Sequence, residues 1–161
     1  MSFLEDAQLL QPELVELRRR LHAHPELGND LPWTQRQVLE ALDGCDLEIT
    51  LGRSLSSVVA VLRGGRPGPA VLLRGDMDGL PIEEQTGLDF ASTNGAMHAC
   101  GHDLHTAGLV GAARLLSARR EELPGSVVFM FQPGEESPGG AAPMIEEGVL
   151  NAAGERPVAA Y

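Results

Sequence analysis

Between Met97 and His105 the chain concentrates side chains that bind metals: His98, Cys100, His102, Asp103 and His105. Thiolate, imidazole and carboxylate groups either hold divalent transition metals or support the groups that do. Only Gly101 separates Cys100 from His102. A glycine there permits a turn tight enough for both side chains to face one point. A lone cysteine is more often a small buried hydrophobe than a ligand. So many donors in one short stretch favour metal here, with His98 and His105 better suited to support than to ligation.

Two further clusters follow apolar runs. Glu135 and Glu136 stand in Phe131-Gln132-Pro133-Gly134-Glu135-Glu136. Adjacent carboxylates beyond a strand end can divide labour, one on a metal and one free to move protons. An acidic pair alone would read as a solvated turn. The other cluster is Arg74-Gly75-Asp76-Met77-Asp78-Gly79. Asp78 can accept a hydrogen bond from a ligating imidazole and fix its orientation. Asp76 either does similar supporting work or caps the turn. His22 and His24 near a helix end read as structural, Glu83 and Glu84 as surface charges, and Met77, Met97, Met130 and Met144 as packing residues.

The elements that must position these groups alternate in type. Leu14, Leu17 and Leu21 repeat with helical spacing after Pro12, which suits a first turn, and the helix should stop before Pro25. A second helix is expected over Thr34–Leu42 with Thr34 as its N-cap. Strands are expected at Leu47–Leu51, Ser57–Leu62, Ala70–Leu73 and Ser126–Phe131, with a further strand opening at Val158–Tyr161. Gly75–Gly101 reads as irregular, which in a compact domain points to function or disorder. Asp103 can cap a helix to about Ser117, and another helix is expected near Ala141–Glu147. Strands interleaved with helices imply an α/β architecture.

Bulk properties narrow the classes. The 161 residues carry 23 acidic against 12 basic side chains, a net charge of −11, which argues against nucleic acid or an anionic membrane as partner. With 43% hydrophobic residues the chain can build a core. Its two cysteines make no disulfide framework. Met1–Leu10 lacks a basic leader region and no apolar stretch could span a bilayer, so a reducing cytoplasm is the simplest placement.

Four stretches, in order, resemble the amidohydrolase branch of the M20 metallopeptidases. They are Leu17-Arg18-Arg19-Arg20-Leu21-His22-Ala23-His24-Pro25-Glu26-Leu27, Leu73-Arg74-Gly75-Asp76-Met77-Asp78-Gly79-Leu80-Pro81-Ile82, Met97-His98-Ala99-Cys100-Gly101-His102-Asp103 and the Phe131–Glu136 stretch. The last two together are a specific signal. The resemblance implies a three-layer α/β/α zinc-peptidase-like catalytic domain that is incomplete at the C-terminus. It implies Cys100 as a thiolate bridging two metals, His102 and Glu136 as further ligands, and Glu135 as the general base. Asp78, Asp76 and Asp103 would stand behind the ligands. The reaction implied is hydrolysis of N-acyl amino acids by metal-activated water. The complete site would hold two divalent ions, zinc or manganese, with cobalt or nickel as options.

In that family a histidine ligand follows shortly after the segment matching Val158–Tyr161. A lid and dimerisation domain comes next, through which complete relatives form homodimers or larger assemblies, and then a final histidine ligand. The chain has no histidine after His105. Residues 1–161 are therefore expected to be the N-terminal part of an M20 catalytic domain that alone binds metal weakly and hydrolyses little. The alternatives are a non-catalytic metal-binding module and a related metallo-aminopeptidase.

Overall fold

The computed structural model describes residues 2–161. Its centre is a mixed sheet of four strands, β1 (Glu48–Leu51), β2 (Val58–Arg63), β3 (Arg66–Asp76) and β4 (Pro124–Gln132), in the order β1-β2-β4-β3. β1/β2 and β2/β4 pair antiparallel, whereas β3 and β4 run parallel. A parallel pair needs a crossover, and the long connection containing α3 (His102–Ser117) supplies it. The Val158–Tyr161 segment lies parallel along the other side of β3, where Leu72 N–H donates to Ala159 O and Tyr161 N–H to Leu72 O, both at 3.0 Å. That placement agrees with the expected strand opening.

Both faces of the sheet are covered, which explains why its strands read as continuous apolar runs. Side chains alternate between the faces. Val58, Ala60, Leu62, Phe129 and Phe131 face one side, where they meet Leu17 and Leu21 of α1 (Phe3–Ala23), Val38 of α2 (Pro32–Ala41) and Val110 of α3. Val59, Val61, Val128 and Met130 face the other side, against Met144 of α4 (Ala141–Glu146) and Val149. The expected layering is therefore present. Strand β1 at the sheet edge is exposed along its length, and its Glu48 forms a two-pronged pair with Arg63 at 2.9 and 3.0 Å.

Three helix starts differ from expectation. Helix α1 begins at Phe3, not at Pro12, because Ser2 and Glu5 form a reciprocal capping box. Pro12 lies inside the helix at an exposed position, as does Gln8, whose carbonyl loses its helical N–H partner to the proline. Helix α2 starts at Pro32, where a missing N–H is harmless. Its cap is the Glu26 carboxylate, which accepts the Trp33 and Thr34 N–H groups at 3.2 and 2.8 Å, rather than the Thr34 side chain. Helix α3 begins at His102 after Gly101, whose φ of 91° suits glycine, so Asp103 is its second residue and not its cap.

The core makes sharply different demands on side chains at the centre and the edge of the sheet. Phe129→Ala, at a fully buried position, should lower unfolding free energy by about 3–5 kcal/mol in urea titration. Ile49→Ala on the exposed edge should change it by less than about 0.5 kcal/mol.

Candidate metal centre

Strands β3 and β4 are parallel, so their carboxyl ends open at the same edge, where Asp76 pairs with Gln132. This is the edge at which ligands gather in α/β sheets. The first turn of α3 docks there. Thr106 Oγ1 donates to the Asp76 carbonyl at 2.8 Å. Gly75 permits the approach, since a Cβ on it would stand 3.0 Å from His105 O and 3.2 Å from Leu109 Cδ2.

His102 is buried, and its Nδ1 donates to the backbone carbonyl of Asp78 at 2.9 Å. With that proton placed, Nε2 is the lone-pair nitrogen available for ligation. Nε2 stands 3.8 Å from Glu136 Oε1, 3.9 Å from Glu135 Oε2 and 3.5 Å from Asp76 Oδ2. Donor atoms of Cys100, His102 and Glu136 lie within 4.8 Å of one another. Asp78 also holds the Glu135–Glu136 loop, because its carboxylate accepts the N–H groups of Glu135 and Glu136 at 3.0 and 3.1 Å. Gly134 turns that loop at a φ of 65°, packed so tightly that a Cβ would meet Asn29 Oδ1 at 2.0 Å.

Acidic groups crowd this point. The hydrogen bond to Glu136 raises the pKa of the Cys100 thiol, and burial and the charges of Glu136, Asp76 and Glu135 add to the effect. Such a thiol gives up its proton more readily when positive charge arrives. Burial works against a charged His102, but its bond to Asp78 and the carboxylates of Asp76 and Asp78 outweigh that and raise its pKa. Burial likewise disfavours ionised Asp78, but hydrogen bonds from His102, Glu135 N–H and Glu136 N–H outweigh it and hold Asp78 below the usual carboxylate range. A thiol, a free imidazole nitrogen and a carboxylate aimed at one point form a donor set that suits a divalent transition metal.

The aspartates expected behind the ligands separate into three positions. Asp78 adjoins His102, with its backbone carbonyl 2.9 Å and its carboxylate 3.4 Å from Nδ1. Asp76 is already engaged, by Arg74 Nη1 at 2.6 Å and His105 Nδ1 at 2.7 Å, although Asp76, His102 and His105 also form a compact donor group. The His105 ring stacks on His102 with centroids 5.7 Å apart. Asp103 is fully buried and turns away from the ligand cluster, toward α1.

Other residues have roles that their sequence positions did not announce. Glu84, expected at the surface, has an enclosed side chain whose Oε1 lies 3.1 Å from His22 Nε2. Its neighbour Glu83 is exposed. His22, expected to do no more than suit a helix end, is buried with Nδ1 2.7 Å from Asp103 Oδ2. One faint signal preceded this: Arg18 and His22, one turn apart, flank the apolar stripe of α1. Nothing in the spacing of Glu84 marked it. His98 is buried, and neither ring nitrogen has a hydrogen-bond partner among the described residues.

The Cys100–His102–Glu136 triad beside Glu135 is found in sequence stretches shared with known proteins. Residues 72–161 match the model of peptidase family M20/M25/M40. The chain belongs to that family. It is 46% identical over 140 residues to N-acetylcysteine deacetylase of Bacillus subtilis, covering 86% of this chain and 37% of that protein. It is 44% identical to N-acyl-L-amino acid amidohydrolase of Geobacillus stearothermophilus, covering 88% of this chain and 39% of that protein. The Bacillus subtilis YXEP protein, a dinuclear metal binding peptidase of the M20 family, superposes with a TM-score of 0.84 at 45% identity, covering 89% of this chain and 41% of that one. The chain thus spans well under half the length of these relatives. Among its described residues no helix is long and apolar enough to cross a membrane.

Burial pushes the pKa of His98 down from 6.5 to about 4. The unfolded chain therefore takes up this proton at a higher pH than the folded chain. The contribution of His98 is intact above pH 6.5 and is lost as the pH falls toward 4, a swing on the order of 3 kcal/mol. Urea unfolding of the metal-free chain between pH 7 and 4 should show that loss, and His98→Gln should flatten its part of the profile.

Proposed function

We propose that this chain carries the metal-binding and proton-transfer residues of a metal-dependent amidohydrolase, and that residues 1–161 form the N-terminal part of its catalytic domain. The observation that carries the reading is the convergence of Cys100, His102 and Glu136 within 4.8 Å, with Glu135 beside them. Cys100, as a thiolate, His102 and Glu136 would hold the divalent metal. The substrate class is N-acyl amino acids, in keeping with the deacetylase and amidohydrolase names of the relatives. Zinc or manganese suits the mixed thiolate, imidazole and carboxylate set, and cobalt or nickel would also fit.

A divalent ion held there supplies Lewis acidity, which polarises an amide carbonyl and makes water acidic enough to lose a proton at neutral pH. The protein's own residues do the rest. Glu135, with its side chain 41% exposed, reaches solvent and substrate and takes the proton from the attacking water at its carboxylate. It returns that proton to the nitrogen of the leaving amine as the C–N bond breaks. Asp78 orients both partners at once, with its carbonyl on His102 and its carboxylate on the Glu135–Glu136 backbone. The complete enzyme would bring the lid and dimerisation domain of the family.

The test pairs metal binding with turnover. Zinc titration of the chain against a chromophoric chelator should show binding that His102→Ala and Cys100→Ala abolish. In the complete, metal-loaded enzyme, release of amino acid from N-acetyl amino acids should fall about 10²–10⁴-fold in Glu135→Gln, with zinc retained. Stoichiometric metal without turnover would favour a binding module. Preference for free-amine dipeptides would favour an aminopeptidase.

A further inference from the structure

Behind the Cys100–His102 turn, on the side away from Glu135 and Glu136, four charged side chains meet. Arg18 and His22 come from α1, Glu84 from the irregular connection after β3, and Asp103 from the first turn of α3. Asp103 is fully buried, His22 is 4% exposed and the Glu84 side chain is enclosed. His22 bridges the two carboxylates, with Nδ1 at 2.7 Å from Asp103 and Nε2 at 3.1 Å from Glu84. Both contacts are hydrogen bonds only when both nitrogens carry protons. Arg18 Nε lies 2.7 Å from the same Asp103 oxygen, a close ion contact whose N–H is not aligned as a hydrogen bond. Its Nη2 is 3.3 Å from His22 Nδ1, a longer contact than the one that nitrogen makes to Asp103. Two buried carboxylates thus face a guanidinium and an imidazole, and such pairing is what makes buried polar groups tolerable.

The surroundings close this cluster off. The Phe90 ring meets the edge of His22 at 5.5 Å and carries the guanidinium groups of Arg18 and Arg19 at 5.2 and 5.0 Å. Glu84 is further held by Thr86 Oγ1 at 2.5 Å and by Ser92 N–H at 2.7 Å. Burial would raise the Glu84 pKa, but these bonds and His22 outweigh it and hold Glu84 down to about 2.

Helix α3 begins with no side-chain cap, so other contacts must place its first turn. On the sheet side His102 is tied to Asp78 and Thr106 to Asp76. On the opposite side stands Asp103, one peptide bond from His102. We infer that Arg18, His22 and Glu84 are positioning residues for the ligand turn, acting through Asp103 to hold the backbone that carries Cys100 and His102. The inference rests on the metal reading of that turn. It assigns a role to the first helix and to the 82–92 segment, neither of which contributes a donor to the Cys100–His102–Glu136 group. Partners that stand behind metal ligands typically change metal affinity 10–100-fold when removed.

Two readouts on the 161-residue chain test it. The first is zinc affinity by chelator competition. The second, without metal, is amide hydrogen exchange of His105, whose N–H bonds to Gly101 O, and of Leu104, whose N–H bonds to Gly101 O and Asp103 Oδ1, relative to Val110 further along α3. His22→Gln should weaken zinc at least tenfold and speed exchange in the first turn at least tenfold relative to Val110. Glu84→Gln, milder in shape, should do the same to a smaller degree and covers the case in which His22→Gln does not fold. The double variant His22→Gln/Asp103→Asn should be no worse than Asp103→Asn alone, since both act through one contact. Leu17→Ala, in the core beneath the same helix, should lower overall stability yet leave the exchange ratio unchanged. An unchanged ratio in His22→Gln and Glu84→Gln, or an equal change in Leu17→Ala, would overturn the positioning role. If the ratio responds but the unaltered chain binds no zinc, the positioning stands and the metal reading fails. If zinc binds and the ratio does not respond, the metal reading stands and the positioning fails.

Discussion

Asp78 joins the two halves of the candidate centre. Its carbonyl takes the Nδ1 proton of His102, and its carboxylate takes the N–H groups of Glu135 and Glu136. One residue just beyond β3 thereby sets the orientation of an imidazole from α3 and the position of a loop after β4. The parallel pairing of β3 with β4 makes this possible, since it brings both strand ends to one edge. An antiparallel pairing would have sent the Glu135–Glu136 loop to the far side of the sheet.

Negative charge accumulates at this edge without equal compensation nearby. Asp76 has Arg74 as its partner, while Glu135, Glu136 and the Cys100 thiol face one another. The carboxylate beside the thiol raises its pKa, so the group is ready to be ionised by a cation and reluctant to ionise alone. The cluster on the far side of the turn is the reverse case. There Arg18 and His22 answer Asp103 and Glu84, and burial is tolerated because both carboxylates have close partners. Two acidic groups on one short turn thus differ in purpose. One lies among other acidic groups, and the other is paired within the protein.

Much of the architecture was legible because it follows from local patterns. The valine-rich runs marked β2 and β4, the end of α1 before Pro25 was visible, and α3 ended at Ser117 as expected. Helix starts were harder to place, since the decisive caps were remote or unusual. Ser2 capped a helix whose apolar stripe begins only later, and Glu26 capped α2 across a turn. Within the site, Cys100, His102, Glu135 and Glu136 stood out through donor density. Glu84 and His22 did not, because an adjacent glutamate and a second histidine two residues on disguised them.

By itself the sequence determined which chemistry was available and where along the chain it lay. A thiol, imidazoles and paired carboxylates next to apolar strands are properties of residue type and spacing, which need no third dimension to read. Only the tertiary structure decided which carboxylate does what. Asp76, Asp78, Glu84 and Asp103 are chemically alike, and each takes its character from what surrounds it. Asp76 gains an arginine, Asp78 a set of backbone N–H groups, and Glu84 and Asp103 a shared histidine. Those partners lie up to 81 positions away along the chain, so only packing could reveal them.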